Sequence, residues 1–314
     1  MGPRILITDN DLGDSSLEVD ILRTSLEAQV EVRLCRTEEE VLAAVLETDP
    51  EAIIVQWAPI TRRVLEAAPA CKVISRIGIG TDMIDSAAAA ALGIPVVNVP
   101  HYCTEEVATH AVAMIFALNR RLLQLDESVR AGIWAATSHA PEIQQISSLT
   151  LGLIGMGRIG RLVAEALAVW GVRVIVADPI AGHDPYERVS LGKLAAESDI
   201  ISLHAPLVAE TRHIVDASLV SLMRQRPTLI NVSRGGLVDT HAVVAALADG
   251  RLSGAGLDVF ETEPLDLHHQ LLSVPNTILT PHAAWCSSSA LPELRRQAAL
   301  NVVRSFTTSG GQLE

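Results

Sequence analysis

The stretch LTLGLIGMGRIGRLVAEALAVWGVRVIVAD, residues 149–178, decides the fold that we expect for this chain. It opens with an apolar run typical of a buried strand, passes through the glycine-rich segment GMGRIG at 155–160, and continues with the apolar spacing of a helix. A second apolar run follows and ends at Asp178. Strand, glycine-rich turn, helix and strand in this order predict a βαβ unit of a parallel sheet.

The glycines of this segment have the spacing of a dinucleotide-binding turn. The first allows a tight turn, the second lets the backbone approach a pyrophosphate, and the third lets the helix pack on the strand. Free N–H groups at the helix start favour an anion, and an acidic residue after the next strand favours NAD over NADP. A glycine-rich turn without a ligand is the alternative. The predicted cofactor-binding residues of this stretch are Gly155, Gly157, Arg158, Ile159, Gly160 and Asp178.

The same alternation of apolar runs and helical spacing extends over the rest of the chain. It predicts an α/β protein with two doubly wound, Rossmann-like parallel-sheet domains. One domain comprises residues 1–99 and 283–314, and the other comprises residues 100–282. Strands are expected at 4–8, 30–34, 52–56, 72–76, 95–99, 149–155, 172–177, 199–204, 228–232, 254–259 and 276–280.

Several helices are also expected from the spacing of apolar residues. The first spans 15–28, where Ser15 or Ser16 is a candidate cap, and the second spans 37–48. A single long helix is predicted from about Thr104 to Arg130, and a final helix over 288–307 is expected to pack back on the first domain.

Composition excludes several classes of protein. Lys plus Arg is 24 and Asp plus Glu is 37 in 314 residues, so the net charge of −13 argues against binding to nucleic acid or to an anionic membrane surface. The four cysteines are widely spaced, which predicts neither a zinc cluster nor a disulfide framework and favours the cytoplasm. We find neither a signal-peptide pattern nor an apolar run of about 18 residues, so no membrane span is expected.

Three segments of the second domain follow predicted strands and carry candidate catalytic residues. They are NVSRGG at 231–236, LDVFETEP at 257–264 and TPHAAW at 280–285. Arg234 can bind a carboxylate and polarise a carbonyl, His282 can donate a proton to a carbonyl oxygen, and Glu263 can orient the imidazole. Taken singly, these residues are an ordinary turn arginine, exposed glutamate and loop histidine. Together after a dinucleotide-binding turn, they suit hydride transfer to a 2-oxo acid.

Six segments in this order resemble the D-isomer-specific 2-hydroxyacid dehydrogenases: RIGIGTDMID (76–85), GMGRIG (155–160), HAPLVAET (204–211), NVSRGGLVD (231–239), GLDVFETEP (256–264) and PHAAW (281–285). The resemblance implies a flavodoxin-like substrate domain formed by both chain ends and an inserted NAD-binding Rossmann domain that forms a homodimer. It implies a small anionic 2-oxo or 2-hydroxy acid as substrate. It also implies that the catalytic set is Arg234, Glu263 and His282, and that further cofactor-binding residues are His204, Ala205, Pro206, Thr211, Val232 and Asp258.

Within this family, RIGIG and HAAW are most similar to the C-terminal-binding-protein branch. That similarity implies that Arg76 binds the substrate carboxylate and that Trp285 forms an apolar wall, although a tryptophan there could instead anchor the last helix. Ala205 departs from the family, which often has cysteine at this position. No metal site is predicted, because His268 and His269 lack the spacing of metal ligands. The predicted substrate-binding residues are Arg76, Ile79, Gly80, Arg234 and Trp285.

The sequence favours an NAD-dependent D-2-hydroxyacid dehydrogenase or 2-oxo acid reductase. An NAD-sensing, corepressor-like scaffold with little turnover is the alternative. A formate dehydrogenase is disfavoured, because that related group has glutamine where Glu263 stands. Among 2-oxo acids, we expect short unbranched or methylthio side chains to be preferred over glyoxylate, and an unusual acid such as a phosphonate stays open.

Overall fold

A computed structural model describes residues 2–180, 182 and 185–307. Contacts between residues divide the chain into two units, each with its own parallel sheet. The first unit contains the described residues up to Cys103 and those from Cys286 onward, and the second is Thr104–Trp285. The predicted domain boundaries fall a few residues before these limits.

The elements follow the predicted alternation of strand and helix. The strands are β1 (Arg4–Ile7), β2 (Gln29–Val32), β3 (Ala52–Val55), β4 (Val73–Arg76), β5 (Val96–Val97), β6 (Thr150–Ile154), β7 (Arg173–Ala177), β8 (Glu187–Arg188), β9 (Ile200–Leu203), β10 (Thr228–Asn231), β11 (Gly254–Leu257) and β12 (Thr277–Leu279). The α-helices are α1 (Ser16–Leu26), α2 (Glu38–Thr48), α3 (Arg62–Glu66), α4 (Ser86–Ala91), α5 (Thr104–Asn119), α6 (Leu122–Arg130), α7 (Arg158–Ala168), α8 (Leu191–Glu197), α9 (Ala217–Leu222), α10 (Thr240–Ala248) and α11 (Ala290–Thr307).

Both sheets are parallel throughout the described residues. The first unit has the strand order β2-β1-β3-β4-β5, and the second has β12-β11-β10-β9-β6-β7-β8. Strands such as AIIV at Ala52–Val55 are buried along their whole length, as continuous apolar runs in a parallel sheet should be. The predicted α/β fold with two parallel sheets is confirmed. In the described ranges, we find no helix with the length and apolarity that a membrane crossing requires.

Helix starts follow local capping chemistry in part. Thr37 and Glu40 form a reciprocal capping box at the start of α2, which satisfies N–H groups that the helix itself leaves open. Ser15 occupies the cap position of α1, but its side chain makes no capping hydrogen bond. The predicted role of Ser15 as a side-chain cap is therefore wrong, and the Ser15 hydroxyl instead accepts a hydrogen bond from the Asn10 amide at 3.2 Å.

The prediction of one long helix from Thr104 to Arg130 is wrong, because two helices, α5 and α6, occupy this stretch. Arg121 separates α5 from α6 with a left-handed backbone at φ 53°. A single left-handed residue redirects the chain without changing the apolar spacing on either side, so periodicity does not reveal it. The Arg121 side chain is mostly buried, and its Nε lies 3.2 Å from a Glu142 carboxylate oxygen.

Candidate active site

The glycine-rich turn between β6 and α7 has three glycines with three different environments. Gly155 has φ 95°, and a Cβ there would lie 2.7 Å from the backbone of His204. A Cβ on Gly160 would lie 2.6 Å from the carbonyl oxygen of Gly155. Gly157, in contrast, has an ordinary φ of −74° and no protein atom within 4 Å of the added Cβ. The protein's own packing explains Gly155 and Gly160 but gives no reason for a glycine at 157.

The pyrophosphate of the predicted dinucleotide would account for a glycine at this position. Gly157 immediately precedes α7, so its bare backbone lies beside the first N–H groups of an eleven-residue helix. Those N–H groups have no partner within the helix, and the helix dipole favours negative charge there. The residues of this turn therefore fit a dinucleotide at the predicted place.

Asp178 lies directly after β7 and is hydrogen-bonded to the same turn. Its Oδ2 accepts from the Met156 N–H at 2.6 Å, and its Oδ1 accepts from the Ile180 N–H at 2.7 Å. The carboxylate is half-buried, and each oxygen keeps a lone pair that can accept from a ribose hydroxyl. Arg188, which sequence analysis missed, donates from Nη1 to the Ile180 carbonyl at 2.7 Å and places a cation near Asp178.

His204 supports the glycine-rich turn from the end of β9. Its N–H donates to the Ile154 carbonyl at 2.8 Å, and its Nε2 lies 2.8 Å from the Ser202 hydroxyl. Burial lowers the pKa of the His204 imidazole to about 4, so the ring is neutral near pH 7. His204 therefore contributes shape and hydrogen bonding here, without a positive charge.

The other predicted cofactor-binding residues differ in exposure. Thr211 closes the loop after β9, because its hydroxyl donates to the Pro206 carbonyl at 2.6 Å and accepts from the Val208 N–H at 2.8 Å. Pro206 is exposed and Ala205 is half-buried. Val232 is buried in the protein. Cofactor contacts of these residues stay predictions.

Two of the predicted catalytic side chains are in direct contact. His282 Nδ1 lies 2.8 Å from Glu263 Oε2, and Glu263 Oε1 accepts from the Phe260 N–H at 2.9 Å. Burial acts to raise the pKa of the Glu263 carboxyl, but the His282 hydrogen bond and charge, the Phe260 N–H and the Arg234 charge outweigh it and hold that pKa below its usual value. Glu263 is therefore an anion, and it fixes the imidazole through one nitrogen.

The charge of Arg234 acts on the Glu263 carboxylate and helps to lower its pKa. Arg234 follows β10, where its carbonyl accepts from the Asn231 amide at 2.9 Å and its Nη1 donates to the Ser233 carbonyl at 2.7 Å. These contacts fix the arginine at the carboxyl end of the strand, where ligands of doubly wound sheets bind. The second unit thus combines an anion, an imidazole and a guanidinium, which is the set needed to bind a carboxylate and move a proton.

The buried side chain of Asp258 forms hydrogen bonds within the protein. The side chain is 1% exposed and accepts from the Thr280 hydroxyl at 2.5 Å and from the N–H groups of Ala283 and Ala284 at 2.8 and 2.9 Å. The carboxylate thus holds the turn that carries His282. A direct contact between Asp258 and a cofactor stays a prediction.

The predicted substrate-binding residues of the first unit lie at the end of β4 and just after it, beginning with Arg76. The residue is 5% exposed, and its guanidinium carbon lies 5.0 Å from the centre of the Trp57 ring. That distance is typical of a cation–π contact. Ile79 and Gly80 are half-buried in the segment that follows β4.

Sequence analysis missed both Trp57 and the residue that holds its backbone. Asp9, which is buried at the end of β1, accepts hydrogen bonds from the N–H groups of Gln56, Trp57 and Ala58 at 3.0, 2.5 and 3.1 Å. An aspartate after a strand was visible in the sequence, but its target, the segment after β3, was not. In the second unit, Trp285 is half-buried.

His268 is exposed, and His269 Nδ1 accepts a hydrogen bond from the Leu271 N–H at 3.1 Å. Within the described ranges, we find no group of three or more histidine, cysteine, aspartate and glutamate side chains that is arranged to hold a metal ion.

Comparison with known proteins gives a consistent picture. Residues 112–284 match the family model described as D-isomer specific 2-hydroxyacid dehydrogenase, NAD binding domain. The chain is 38% identical over 252 residues to a glyoxylate reductase of Korarchaeum cryptofilum, and the match covers 78% of this chain and 76% of that protein. 

Solved structures are similar over nearly the whole chain. D-lactate dehydrogenase from Aquifex aeolicus, complexed with NAD and lactic acid, has a TM-score of 0.85 and 31% identity, covering 96% of this chain and 95% of that one. A glyoxylate reductase from Paecilomyes thermophila has a TM-score of 0.88 and 26% identity, covering 98% and 96%.

Proposed function

This chain belongs to the D-isomer-specific 2-hydroxyacid dehydrogenase family and is an oxidoreductase with NAD as its cofactor, and we propose that it interconverts small 2-oxo acids and D-2-hydroxy acids. The family predicted from the six sequence motifs is confirmed. Membership of the C-terminal-binding-protein branch stays a prediction. The relatives named above are reductases or dehydrogenases of small acids, and they give the corepressor alternative no support.

The contact between Glu263 and His282 carries the proposal. His282 Nδ1 is bonded to the Glu263 carboxylate at 2.8 Å, and Nε2 is the other nitrogen, on the opposite side of the ring. During reduction, Nε2 donates a proton to the carbonyl oxygen of the substrate. Before that step, the Glu263 anion stabilises the protonated imidazole and fixes the ring orientation. During oxidation, Nε2 accepts the proton of the substrate hydroxyl. NAD, when bound, would supply the hydride for reduction in its reduced form and would take up the hydride in oxidation.

Arg234 is proposed to bind the substrate carboxylate and polarise its carbonyl group. Arg76, Ile79, Gly80 and Trp285 are proposed as further substrate-binding residues on the basis of the family resemblance. A carboxylate with a small side chain is therefore the expected substrate. Similarity to glyoxylate reductases favours the shortest acid, whereas an apolar wall at Trp285 favours longer side chains such as methylthio groups.

The proposed cofactor preference is NADH over NADPH. The Asp178 carboxylate beside the glycine-rich turn would repel a 2′-phosphate. Arg188 is the neighbouring cation that could weaken this preference, so both cofactors belong in the assay.

We also propose a homodimer that uses the second unit and works in the cytoplasm. Large apolar side chains are exposed on α6 and the residues that follow it: Leu122, Leu123, Val129, Ile133 and Trp134. Several large apolar side chains exposed within one short segment are typical of a surface that a partner covers. A second copy of this chain is the expected partner, and light scattering that gives the mass of one chain would contradict it.

The reaction is tested by following NADH absorbance with glyoxylate, pyruvate, 2-oxobutyrate and 4-methylthio-2-oxobutyrate. Butanone, which lacks a carboxylate, is the substrate control. We expect His282→Gln to lower kcat by about 10²–10⁴-fold while NADH still binds, because the proton donor is lost. His268→Gln is the matched control, since it makes the same change at an exposed loop position. Failure to reduce any of the acids would contradict the proposed function, and full activity of His282→Gln would contradict the role of His282.

A further inference from the structure

The backbone of His282 has a conformation that needs support. Its φ of 52° lies in the left-handed region, which is unfavourable for a non-glycine residue. The His282 N–H donates to the carbonyl of Asp258 at 2.7 Å and also lies 3.0 Å from the carbonyl of Thr280. The next two N–H groups, of Ala283 and Ala284, bond to the Asp258 carboxylate. Three consecutive N–H groups of this turn thus bond to the same residue, Asp258.

The Asp258 carboxylate is buried, so its hydrogen bonds determine whether the turn is stable. Burial of a carboxylate is costly unless donors surround it. Besides the two backbone N–H groups, the third donor is the Thr280 hydroxyl, at 2.5 Å from Oδ1. Thr280 lies two residues before His282, so the hydroxyl fixes the entry into the turn.

The Thr280 hydroxyl is also in contact with a side chain of α5, that of His110. His110 Nε2 lies 3.1 Å from Thr280 Oγ1 and 3.9 Å from Asp258 Oδ1. A threonine hydroxyl has one hydrogen, and here it points to Asp258. His110 Nε2 must therefore carry a hydrogen and donate it to the threonine oxygen.

Close packing of α5 on β11 brings His110 into this position. A Cβ on Gly256 would lie 2.9 Å from the Met114 sulfur, so the bare glycine lets the helix approach the strand. Met114 is four residues after His110 and lies on the same face of the helix. The position of the His110 ring relative to Thr280 is thereby set by a packed helix–strand contact.

We infer that His110, Thr280 and Asp258 form a hydrogen-bonded relay that positions His282 for proton transfer. His110 and Thr280 are positioning residues, because they act through Asp258 and the turn. Glu263 orients the imidazole ring, while the relay determines where the backbone of His282 lies. This inference rests on the proposed function, in which His282 is the proton donor.

The test compares a Thr280 variant that lacks the hydroxyl with one that keeps it. Thr280→Val removes it with little change in shape, and we expect kcat for 2-oxo acid reduction to fall by about 10–100-fold, because small misplacements of a catalytic group cost that much. The dissociation constant of NADH should stay within about twofold, since the relay acts on the proton donor. Thr280→Ser restores the hydroxyl and should recover most of kcat.

The matched control is Thr277→Val, which makes the same change on β12, three residues before Thr280. The Thr277 hydroxyl donates to the Val274 carbonyl at 3.1 Å, and we find no hydrogen bond from it to a relay residue among the described residues. We expect Thr277→Val to leave kcat unchanged. At the other end of the relay, His110→Leu should reduce kcat in the same way as Thr280→Val, and His110→Gln, which keeps a donor, should recover part of it.

A second measurement does not depend on turnover. The ring resonances of His282, assigned from the spectrum of His282→Gln, should shift or broaden in Thr280→Val and stay in place in Thr280→Ser and Thr277→Val. Unchanged kcat and unchanged ring resonances in Thr280→Val would overturn the relay. If the wild-type chain reduces no 2-oxo acid, the proposed function fails, and the ring resonances alone decide whether the relay positions His282.

Discussion

At the scale of single residues, Glu263 is the group whose charge matters most. The carboxylate contacts His282 and is kept in its charged form by the His282 hydrogen bond, the Phe260 N–H and the Arg234 charge, although burial opposes this by raising its pKa. An anion at this distance favours the protonated imidazole. In the proposed mechanism the protonated imidazole is the form that donates during reduction, so we expect Glu263 to set the upper pH limit of that reaction.

Glu263→Gln tests this role. We expect the pH at which reduction falls off to move to lower values, because the imidazolium loses its stabilising anion and gives up its proton earlier. The measurement is kcat/KM for 2-oxo acid reduction as a function of pH. Glu261→Gln is the matched control, since it makes the same charge change two residues away, where the carboxylate lies 2.6 Å from His213 Nε2. A profile in Glu263→Gln that coincides with that of the wild type would remove Glu263 from the mechanism.

At the scale of elements, the turn between β6 and α7 contains one glycine that the fold requires and one that the proposed cofactor requires. Gly155 is needed by the fold, because its backbone is left-handed and a Cβ would meet the His204 backbone at 2.7 Å. Gly157 is not needed by the fold, because a Cβ there meets no atom within 4 Å. Substitution by alanine should therefore weaken NADH binding at Gly157 and lower the free energy of unfolding at Gly155.

We expect Gly157→Ala to raise the NADH dissociation constant by roughly tenfold, because the new methyl group occupies space that the pyrophosphate needs. Its free energy of unfolding should change by less than about 0.5 kcal/mol. Gly155→Ala should instead lower the free energy of unfolding by about 2 kcal/mol or more, through backbone strain and a steric clash. NADH titration and urea unfolding measure both quantities, and wild-type affinity in Gly157→Ala would place the pyrophosphate elsewhere.

At the scale of the whole molecule, the first unit depends on both ends of the chain. Helix α11 packs on α1 and β4, and the Ser75 hydroxyl donates to the Ala298 carbonyl at 2.8 Å. Glu18 is fully buried, and its carboxylate oxygens accept from Arg295 at 2.8 and 2.7 Å. A buried ion pair thus joins two helices that are far apart in sequence.

Arg295→Met should lower the free energy of unfolding by about 3 kcal/mol, because it leaves the Glu18 carboxylate buried without its cation. Adding Glu18→Gln to Arg295→Met should recover part of the loss. Arg296→Met is the matched control at the next position, where the arginine pairs with Glu293 on the surface and the expected loss is below about 1 kcal/mol. Equal small losses in the two single variants, measured by urea unfolding, would show that the buried pair does not hold α11 in place.

The sequence by itself determined the features that local patterns encode. Apolar runs indicated the strands, the spacing of Gly155, Gly157 and Gly160 indicated the dinucleotide-binding turn, and the chemistry of Arg234, Glu263 and His282 indicated the candidate catalytic set. Each of these depends on neighbours within a few residues or on the known chemistry of a side chain. The local pattern failed at Arg121, where one left-handed residue divides a helix without disturbing its periodicity.

Only the tertiary structure decided the contacts between distant parts of the chain. His110 meets Thr280, Trp57 lies against Arg76, and Glu18 pairs with Arg295, although 170 and 277 residues separate the first and last of these pairs. The direction of the Asp258 side chain, into the turn, was equally invisible. The physical reason is that such contacts arise from how packed helices and strands bring side chains together, and this packing leaves no periodic signal in the sequence.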